Sequence, residues 1–304
     1  MAQRTSEWYV LHNKRCNTVV DPVYQETRTL PALEPNEVQV SVHSTGLCGS
    51  DLHYYNHNRN GDIIVREPLT LGHESSGIVS AVGSSVSSSQ FSPGDRVALE
   101  VGVSCESCNR CKTGRYNICK DMRFRSSAKS FPHFQGTLQE KINHPAKWCH
   151  KLPADMPMEL GALLEPMGVA LHAFRRSNME KGQTVLVLGA GAVGLLCAAV
   201  AKMKGARTVV IADIDQGRVD FAVKHRFADH SFTVPMKRGK DVDENLQIAR
   251  ETAAEVGKTQ VQQGTELGEV DITFECTGVQ ACVQAGIYVG HRAQYTMGST
   301  ANWK

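Results

Sequence analysis

The sequence predicts an α/β protein with two parts, a β-rich first half and a doubly wound parallel sheet in the second half. The first half contains short segments of alternating apolar and polar residues, bounded by glycine, proline and serine. The second half alternates continuous apolar runs with segments of helical spacing, which is typical of parallel strands joined by helices. The chain of 304 residues is long enough for about two domains of ~150 residues each, and we predict domains at 1–160 and 161–304.

Three segments of the first half are predicted strands: Glu37–His43, Gly77–Val82 and Asp95–Glu100. The uncharged, serine-rich segment Ser84–Ser92 lies between the last two and predicts a solvated hairpin connection.

The second half begins with helical spacing over Glu159–Arg176, where Pro166 interrupts the pattern. The polar segment Met236–Glu266 predicts a surface helix with loops. The predicted strands are Thr184–Leu188, Thr208–Ala212, His230–Val234 and Asp271–Glu275, and the predicted helices are Gly191–Lys204, Arg218–Lys224 and Val279–Val289.

Composition excludes several classes of protein. The net charge of +2 at pH 7 is close to neutral, so we expect neither a nucleic-acid partner nor an anionic membrane surface. The start of the chain has no basic-then-apolar signal, and no apolar run reaches the ~20 residues of a membrane span. We therefore expect a cytoplasmic protein. Ten cysteines in such a compartment favour metal or redox chemistry over disulfides.

A glycine-rich turn follows the apolar run Thr184–Leu188 and comprises Gly189, Ala190, Gly191, Ala192, Val193 and Gly194. Its G-x-G-x-x-G spacing between a strand and a helix is typical of dinucleotide binding. Gly189 would permit the tight turn, Gly191 the approach of backbone to pyrophosphate, and Gly194 close packing of helix on strand. The N–H groups of Ala192 and Val193 begin the helix that would face the phosphates. A packing corner without a ligand is the alternative.

The acidic residue that this motif requires is Asp213, 19 residues after Gly194, at the end of the next strand. Its carboxylate could accept hydrogen bonds from the ribose hydroxyls and would repel a 2′-phosphate, so NAD is favoured over NADP. Arg218 could cover the adenine or ribose, or be a plain surface charge.

Four cysteines, Cys105, Cys108, Cys111 and Cys119, lie within 15 residues. Such short intervals allow one loop to surround a tetrahedral zinc ion, and four sulfurs leave no position for a substrate. The cluster therefore predicts a structural zinc site. An iron–sulfur cluster or free thiols are the alternatives, although the spacing differs from common ferredoxin patterns.

Three separate segments supply further zinc-ligand residues: Cys48, the pair His73 and Glu74, and Glu165. Three protein ligands would leave a fourth position for water or substrate, as catalytic zinc sites do. Taken singly, such residues are more often a buried thiol, a satisfied histidine or a charge at a helix end than metal ligands.

The run GHExxGxVxxVG over Gly72–Gly83 resembles the zinc signature of the medium-chain alcohol dehydrogenase family. The segments CGSDLHYY, the four-cysteine lobe, LLEP and GAGAVG occur in the family's order, and the chain looks most like the polyol dehydrogenases. The stretch Ile142–Pro153 is similar to their fungal members. This resemblance covers Tyr9 to Tyr288. It implies a GroES-like catalytic domain, a Rossmann domain and an active site in the cleft between them.

The resemblance also assigns roles. Cys48, His73 and Glu74 match the ligands of a catalytic zinc, and Glu165 matches the carboxylate that holds the zinc-bound water or itself enters the coordination shell. A glutamate at this last position, rather than a second cysteine, fits the polyol branch. The four clustered cysteines match the structural zinc lobe.

Four residues of the segment Gly46–Tyr54 also match functional positions of the family. Asp51 matches a carboxylate that orients the ligand histidine. Ser50 and His53 match a proton relay, and Tyr54 matches a residue that packs on or hydrogen-bonds the polyol.

The resemblance implies zinc- and NAD-dependent oxidation of a polyol secondary hydroxyl to a ketose, by a homodimer or homotetramer. Another zinc alcohol or threonine dehydrogenase is the nearest alternative.

The segment Gly290–Lys304 does not match the family, which continues for about 50–60 further residues in the six-strand arrangement of such folds. We therefore expect a truncated Rossmann domain in which the strand Asp271–Glu275 is an unpaired edge. An inactive or unstable fragment is a further alternative, and a divergent terminus on a folded enzyme another.

Overall fold

The computed structural model describes residues 5–11 and 23–296. The chain divides into two compact units, Met1–Glu165 and Pro166–Lys304. The boundaries that we predict from the sequence remain a prediction.

The first unit is mostly short strands. In chain order its elements are β1 (Thr5–Leu11), β2 (Val23–Thr29), β3 (Glu37–Gly46), α1 (Gly49–His57), β4 (Arg59–Asn60), β5 (Ile63–Ile64), β6 (Leu69–Thr70), β7 (Glu74–Val82), β8 (Arg96–Leu99), β9 (Gly102–Val103), α2 (Asn109–Lys112), β10 (Arg123–Phe124), β11 (Lys141–Pro145), β12 (Cys149–Lys151), α3 (Met158–Ala162) and α4 (Leu164–Ser177), which continues into the second unit. Short 3-10 helices span Tyr116–Ile118 and Ala146–Trp148.

An antiparallel sheet of order β11-β3-β7-β8-β12 holds the first unit together. Alternate residues of its strands, including Val38, Val40 and Val97, are fully buried in one apolar core, which confirms the alternation that predicted these strands. The long pairing of β3 with β7 ends where Gly46 lies opposite Glu74. This register brings the residues that follow β3 beside those that precede β7.

The second unit alternates strands and helices. Its elements after α4 are β13 (Thr184–Leu188), α5 (Ala192–Met203), β14 (Thr208–Asp213), α6 (Gln216–Lys224), β15 (His230–Thr233), α7 (Val242–Gly257), β16 (Gln260–Gln262), β17 (Thr265–Glu266), β18 (Val270–Glu275), α8 (Gln280–Val289) and β19 (Gly290–Thr296).

A parallel sheet of order β15-β14-β13-β18-β19 forms the centre of the second unit. Val185 and Val187 of β13 are buried in one apolar core, and the alternate residues Leu186 and Leu188 are buried in another. A strand buried on both faces explains the continuous apolar run and confirms the doubly wound sheet.

The prediction that the strand Asp271–Glu275 is an unpaired edge is wrong. β19 pairs in parallel with β18, from Val270 opposite Gly290 to Glu275 opposite Thr296. Ladder hydrogen bonds use main-chain groups only, so a segment without an apolar run can still pair once α8 has brought the chain back beside β18.

The helical region Glu159–Arg176 is interrupted at Leu163, between α3 and α4, rather than at Pro166. Pro166 lies in the first turn of α4, where its missing N–H has no intrahelical partner to lose.

Among the described residues, none of the helices combines the length and the apolar character that crossing a bilayer requires.

Candidate metal centres and dinucleotide site

Three potential metal ligands meet in the first unit. Cys48 occupies the N-cap of α1, His73 immediately precedes β7, and Glu74 is the first residue of β7. Their ligand atoms, one thiol sulfur, one imidazole nitrogen and one carboxylate oxygen, all lie within 4.8 Å of one another. The β3–β7 register therefore brings Cys48 together with His73 and Glu74, which lie 25 and 26 positions further along the chain.

Gly46 makes room for one of these ligands. A Cβ at this position would overlap the carboxylate of Glu74, which lies directly across the ladder. Nearly any other residue at position 46 would therefore displace the carboxylate from the group of three.

The buried carboxylate of Asp51 joins the segments that carry the ligands. Its Oδ2 accepts a hydrogen bond from the Cys48 N–H at 3.0 Å. Its Oδ1 accepts from the Gly72 N–H at 3.1 Å and from the Ser126 hydroxyl at 2.7 Å. The same Oδ1 lies 3.6 Å from Nδ1 of His73, so the geometry suits a carboxylate that orients this ring.

Acidic groups surround a single imidazole here. Burial opposes a charge on His73, but hydrogen bonds to Asp51 and Cys48 outweigh it and raise the pKa of His73 to about 10. Burial raises the pKa of Glu74, and burial together with the charges of Glu74 and Asp51 raises the pKa of Glu165 to about 7. A dication would relieve this crowding, and thiolate, imidazole and carboxylate are the ligands that zinc prefers. The residues therefore fit zinc.

The other predicted residues lie at different distances from this group. Ser50 places its Oγ 3.4 Å from Nε2 of His73. Glu165 lies in the first turn of α4, near enough for the charge of Glu74 to act on its pKa. Among the described residues, the ligand atoms that lie within 4.8 Å of one another here come from Cys48, His73 and Glu74. The carboxylate of Glu165 lies outside this group.

His53 and Tyr54 are consecutive residues of α1 that differ in exposure. His53 is exposed. Tyr54 is buried in an apolar cluster with Leu69 and Leu71, and its hydroxyl accepts a hydrogen bond from the Ala128 N–H at 3.3 Å. The ring of Tyr54 therefore packs against protein atoms, while its O–H can still donate a hydrogen bond, and its contact with a substrate stays a prediction.

The four clustered cysteines converge on one point. Their Sγ–Sγ distances include 3.4 Å for Cys105–Cys119, 3.5 Å for Cys108–Cys111, 3.9 Å for Cys105–Cys111 and 4.0 Å for Cys108–Cys119. Four sulfurs around a zinc ion at ~2.3 Å would lie about 3.8 Å apart in a tetrahedron, so the residues fit a closed zinc site.

Backbone amides favour thiolates in this loop. The N–H of Cys108 donates to Sγ of Cys105, and the N–H of Cys105 donates to Sγ of Cys119, each at 3.4 Å. Hydrogen bonds from Ser107 and Cys108 lower the pKa of Cys105 to about 6. Desolvation and the neighbouring thiol of Cys108 raise the pKa of Cys111 to about 11, so a cation is needed to hold all four as thiolates.

The glycine-rich turn of the second unit has the geometry that its motif predicts. Gly189 has φ of 101°, which a residue with a side chain rarely adopts. A Cβ at Gly194 would overlap the carbonyl oxygen of Gly189, whereas a Cβ at Gly191 would meet nothing within 4 Å. Gly191 is the N-cap of α5, and Ala192 and Val193 form its first turn, so their N–H groups have no partner within the helix. Gly194 is therefore needed for packing, and Gly191 leaves open space for a ligand.

Asp213 lies at the end of β14 and fixes this turn. Its carboxylate accepts hydrogen bonds from the Ala190 N–H at 2.7 Å and from the Asp215 N–H at 3.0 Å. A cavity of about 500 Å³ lies beside it, lined by Gly189, Gly191, Asp213 and the exposed Arg218 among others. The cavity lies at the carboxyl ends of the strands, where open parallel sheets bind ligands, and these residues fit a dinucleotide.

Some residues of these sites were not predicted from the sequence, and only part of them could have been. Gly46 belongs to the segment Gly46–Tyr54, which matches functional positions of the family, but only the register of β3 and β7 reveals its contact with Glu74. No sequence pattern marks Ser126, whose φ of 61° and bond to Asp51 depend on the tertiary fold. The cavity wall formed by Val234–Lys237 follows β15 and could have been found from strand order.

Comparison with known proteins gives the class. The family model "Alcohol dehydrogenase GroES-like domain" matches residues 34–154. Probable D-xylulose reductase A of Emericella nidulans is 42% identical over 266 residues, 87% of this chain and 68% of that protein. Sorbitol dehydrogenase of Gallus gallus is 42% identical over 264 residues, 86% of this chain and 68% of that protein.

Among solved structures, L-idonate 5-dehydrogenase of Escherichia coli superposes with a TM-score of 0.77 at 28% identity, covering 99% of this chain and 79% of that one. The chain belongs to the zinc-containing medium-chain alcohol dehydrogenase family. Within it, the resemblance to the polyol dehydrogenases is confirmed, and with it an oxidoreductase that uses zinc and a nicotinamide dinucleotide.

Substituting alanine for Gly46 should weaken only the open metal site. The added Cβ meets the end of a flexible side chain, so Glu74 can move away while the fold is kept. We expect the zinc at Cys48 and His73 to be lost to a chelator about tenfold faster. Elemental analysis of the zinc content per chain during dialysis against the chelator measures the rate of loss. Gly49→Ala is the control, since its Cβ would meet nothing within 4 Å; equal zinc loss in both variants would contradict the assignment.

Removing the hydroxyl of Ser126 should loosen the same site through Asp51. Ser126→Ala deletes the 2.7 Å hydrogen bond to Oδ1 and leaves the carboxylate freer to turn away from His73. We expect about threefold to tenfold faster zinc loss from the open site and an unchanged rate at the four cysteines. The neighbouring variant Ser127→Ala should lose zinc as the wild type does. A lower melting temperature with unaltered zinc loss would show a purely structural role.

Two glycines of the turn should respond differently to alanine. Gly191→Ala should keep its thermal stability but bind NAD about tenfold more weakly, because the methyl group fills open space. Gly194→Ala should lose about 1–3 kcal/mol of stability, because its methyl group meets a carbonyl oxygen. Thermal melts with and without NAD separate the two effects. Undiminished NAD binding by Gly191→Ala would argue against phosphate at this turn.

Proposed function

We propose that this chain oxidises a secondary hydroxyl of an acyclic polyol to a ketose with NAD, and catalyses the reverse reduction. The observation that carries the proposal is the convergence of one thiol, one imidazole and one carboxylate within 4.8 Å, with the carboxyl group of Glu165 near enough for the charge of Glu74 to raise its pKa. The names D-xylulose reductase and sorbitol dehydrogenase among its relatives support the substrate class, since each names a ketose or polyol.

Cys48, His73 and Glu74 would hold the catalytic zinc. Three protein ligands leave a position free, where zinc, when bound, acts as a Lewis acid that lowers the pKa of a substrate hydroxyl. Asp51 holds the backbone of two ligand segments and faces His73, so its part is to orient the imidazole. The four-cysteine loop would hold the second zinc and has a structural role.

The proton of the hydroxyl would leave along α1. Ser50 lies beside His73, and His53 follows three positions later, on the neighbouring turn of the helix and exposed to solvent. In the proposed relay, the Ser50 hydroxyl receives the proton and the His53 imidazole passes it to water. Burial raises the pKa of Glu165 to about 7 while no cation is near, and a bound dication would lower it and favour the carboxylate.

The second unit would bind the cofactor. NAD, when bound, accepts the hydride that the polyol carbon gives up. The turn Gly189–Gly194 and the first amides of α5 would bind the pyrophosphate, and the Asp213 carboxylate would accept hydrogen bonds from ribose hydroxyls. Its negative charge disfavours a 2′-phosphate, which supports NAD over NADP. Arg218 lines the same cavity and would cover the adenosine.

The assembly of the protein and its location are separate proposals. The resemblance implies a homodimer or homotetramer, and the composition of the chain predicts a cytoplasmic protein without a nucleic-acid partner. These points stay predictions.

A substrate panel with a matched pair of variants tests the function. We expect NADH to form with xylitol, sorbitol or L-arabinitol, and His73→Gln to reduce this rate by about a thousandfold or more, because it removes a metal ligand. His172→Gln, which changes an exposed histidine of α4, should keep the wild-type rate. Oxidation of L-threonine but of no polyol, or full activity of His73→Gln, would contradict the proposal.

A further inference from the structure

The exposed face of α1 carries a second pair of potential metal ligands. Asp51 and Tyr54 are buried on one side of this helix and thereby fix its rotation. His53 and His57 lie four positions apart on the other side, and both are exposed. Residues at positions i and i+4 of a helix are neighbours on one face.

The two imidazole rings already lie close to the spacing needed for chelation. Their centroids are 6.1 Å apart and their planes are inclined by 36°. Two imidazole nitrogens at ~2.0–2.1 Å from a shared cation would bring the rings to about 5 Å, a change of about 1 Å. Exposed side chains can make this change by rotating about χ1 and χ2 without moving the helix.

We propose that His53 and His57 form a bidentate surface site for a borderline dication such as Zn²⁺, Ni²⁺ or Cu²⁺. Imidazole suits these ions, whereas Mg²⁺ and Ca²⁺ prefer oxygen ligands. Two protein ligands bind more weakly than three or four, so this site fills only when the metal supply exceeds what the two zinc centres take up. It is separate from them, because it uses neither Cys48, His73, Glu74 nor the cysteine loop.

Metal bound at this site should slow turnover, an inference that rests on the proposed function. A cation on His53 occupies the nitrogen lone pair that would receive the proton from Ser50. Excess metal should therefore inhibit by lowering kcat, with little change in KM for the polyol. The proposal thus assigns His57 an inhibitory role.

Nickel binding to the zinc-loaded, tag-free chain tests the site directly. We expect calorimetry to show one Ni²⁺ per chain for the wild type and at least tenfold weaker binding for His57→Gln. His43→Gln is the matched control, because His43 is an exposed histidine of β3 that bonds to Ser44, and it should bind nickel as the wild type does. Wild-type affinity in His57→Gln would overturn the site.

Turnover in the same titration separates the site from its consequence. His57→Gln should have the basal rate of the wild type and need at least tenfold more nickel for half-inhibition. Equal inhibition of both proteins would overturn the inhibitory role of this pair. His57-dependent binding without inhibition would leave the metal site standing and would count against His53 as a proton carrier.

Discussion

The carboxylate of Asp51 is the contact on which the open metal site depends. It accepts hydrogen bonds from the backbone of Cys48 and Gly72 and from the hydroxyl of Ser126, and it faces the ring of His73. Three segments that are distant in sequence are thereby fixed to one buried anion. Because the surrounding groups are also acidic, the same contact makes the site favourable for a dication and costly without one.

The two metal centres differ in how far the sequence could predict them. The ligands of the closed centre lie within Cys105–Cys119, so short-range spacing was enough to predict four converging sulfurs. The open centre needs the β3–β7 pairing to bring Cys48 to Glu74. From residue spacing alone, each of its ligands could be a residue with a purely structural role. Before the structure, only the resemblance to a known family indicated that Cys48, the pair His73 and Glu74, and Glu165 belong to one site.

Contacts that depend on register were beyond the sequence. Gly46 lies opposite Glu74, and Ser126 reaches Asp51 from 75 positions away, and neither contact has a periodic signal. The burial of Tyr54 against Leu69 and Leu71 also depends on the tertiary fold, and the substrate contact that its motif suggests stays a prediction. A motif identifies residue types, but the packing of α1 decides which of its faces meets solvent.

In the second unit, main-chain geometry explains why the strand β13 could be predicted from the sequence and why the pairing of β18 with β19 could not. The run Thr184–Leu188 was predicted residue for residue as β13, because a strand buried on both faces must be apolar throughout. The segment Gly290–Thr296 lacks that signature and still pairs with β18, because the crossover through α8 brings its backbone beside that strand. Hydrophobic pattern therefore predicted the centre of the sheet well and its last strand poorly.

Zinc K-edge X-ray absorption on the purified chain, combined with elemental analysis, would count the metal ions and identify the ligands of both centres. We expect two zinc ions per chain with an average of about 2.5 sulfur and about 1.5 nitrogen or oxygen ligands, from one four-sulfur centre and one centre with Cys48, His73, Glu74 and a water. A single zinc with four sulfur ligands would contradict this expectation, because the acidic group around His73 would then hold no metal.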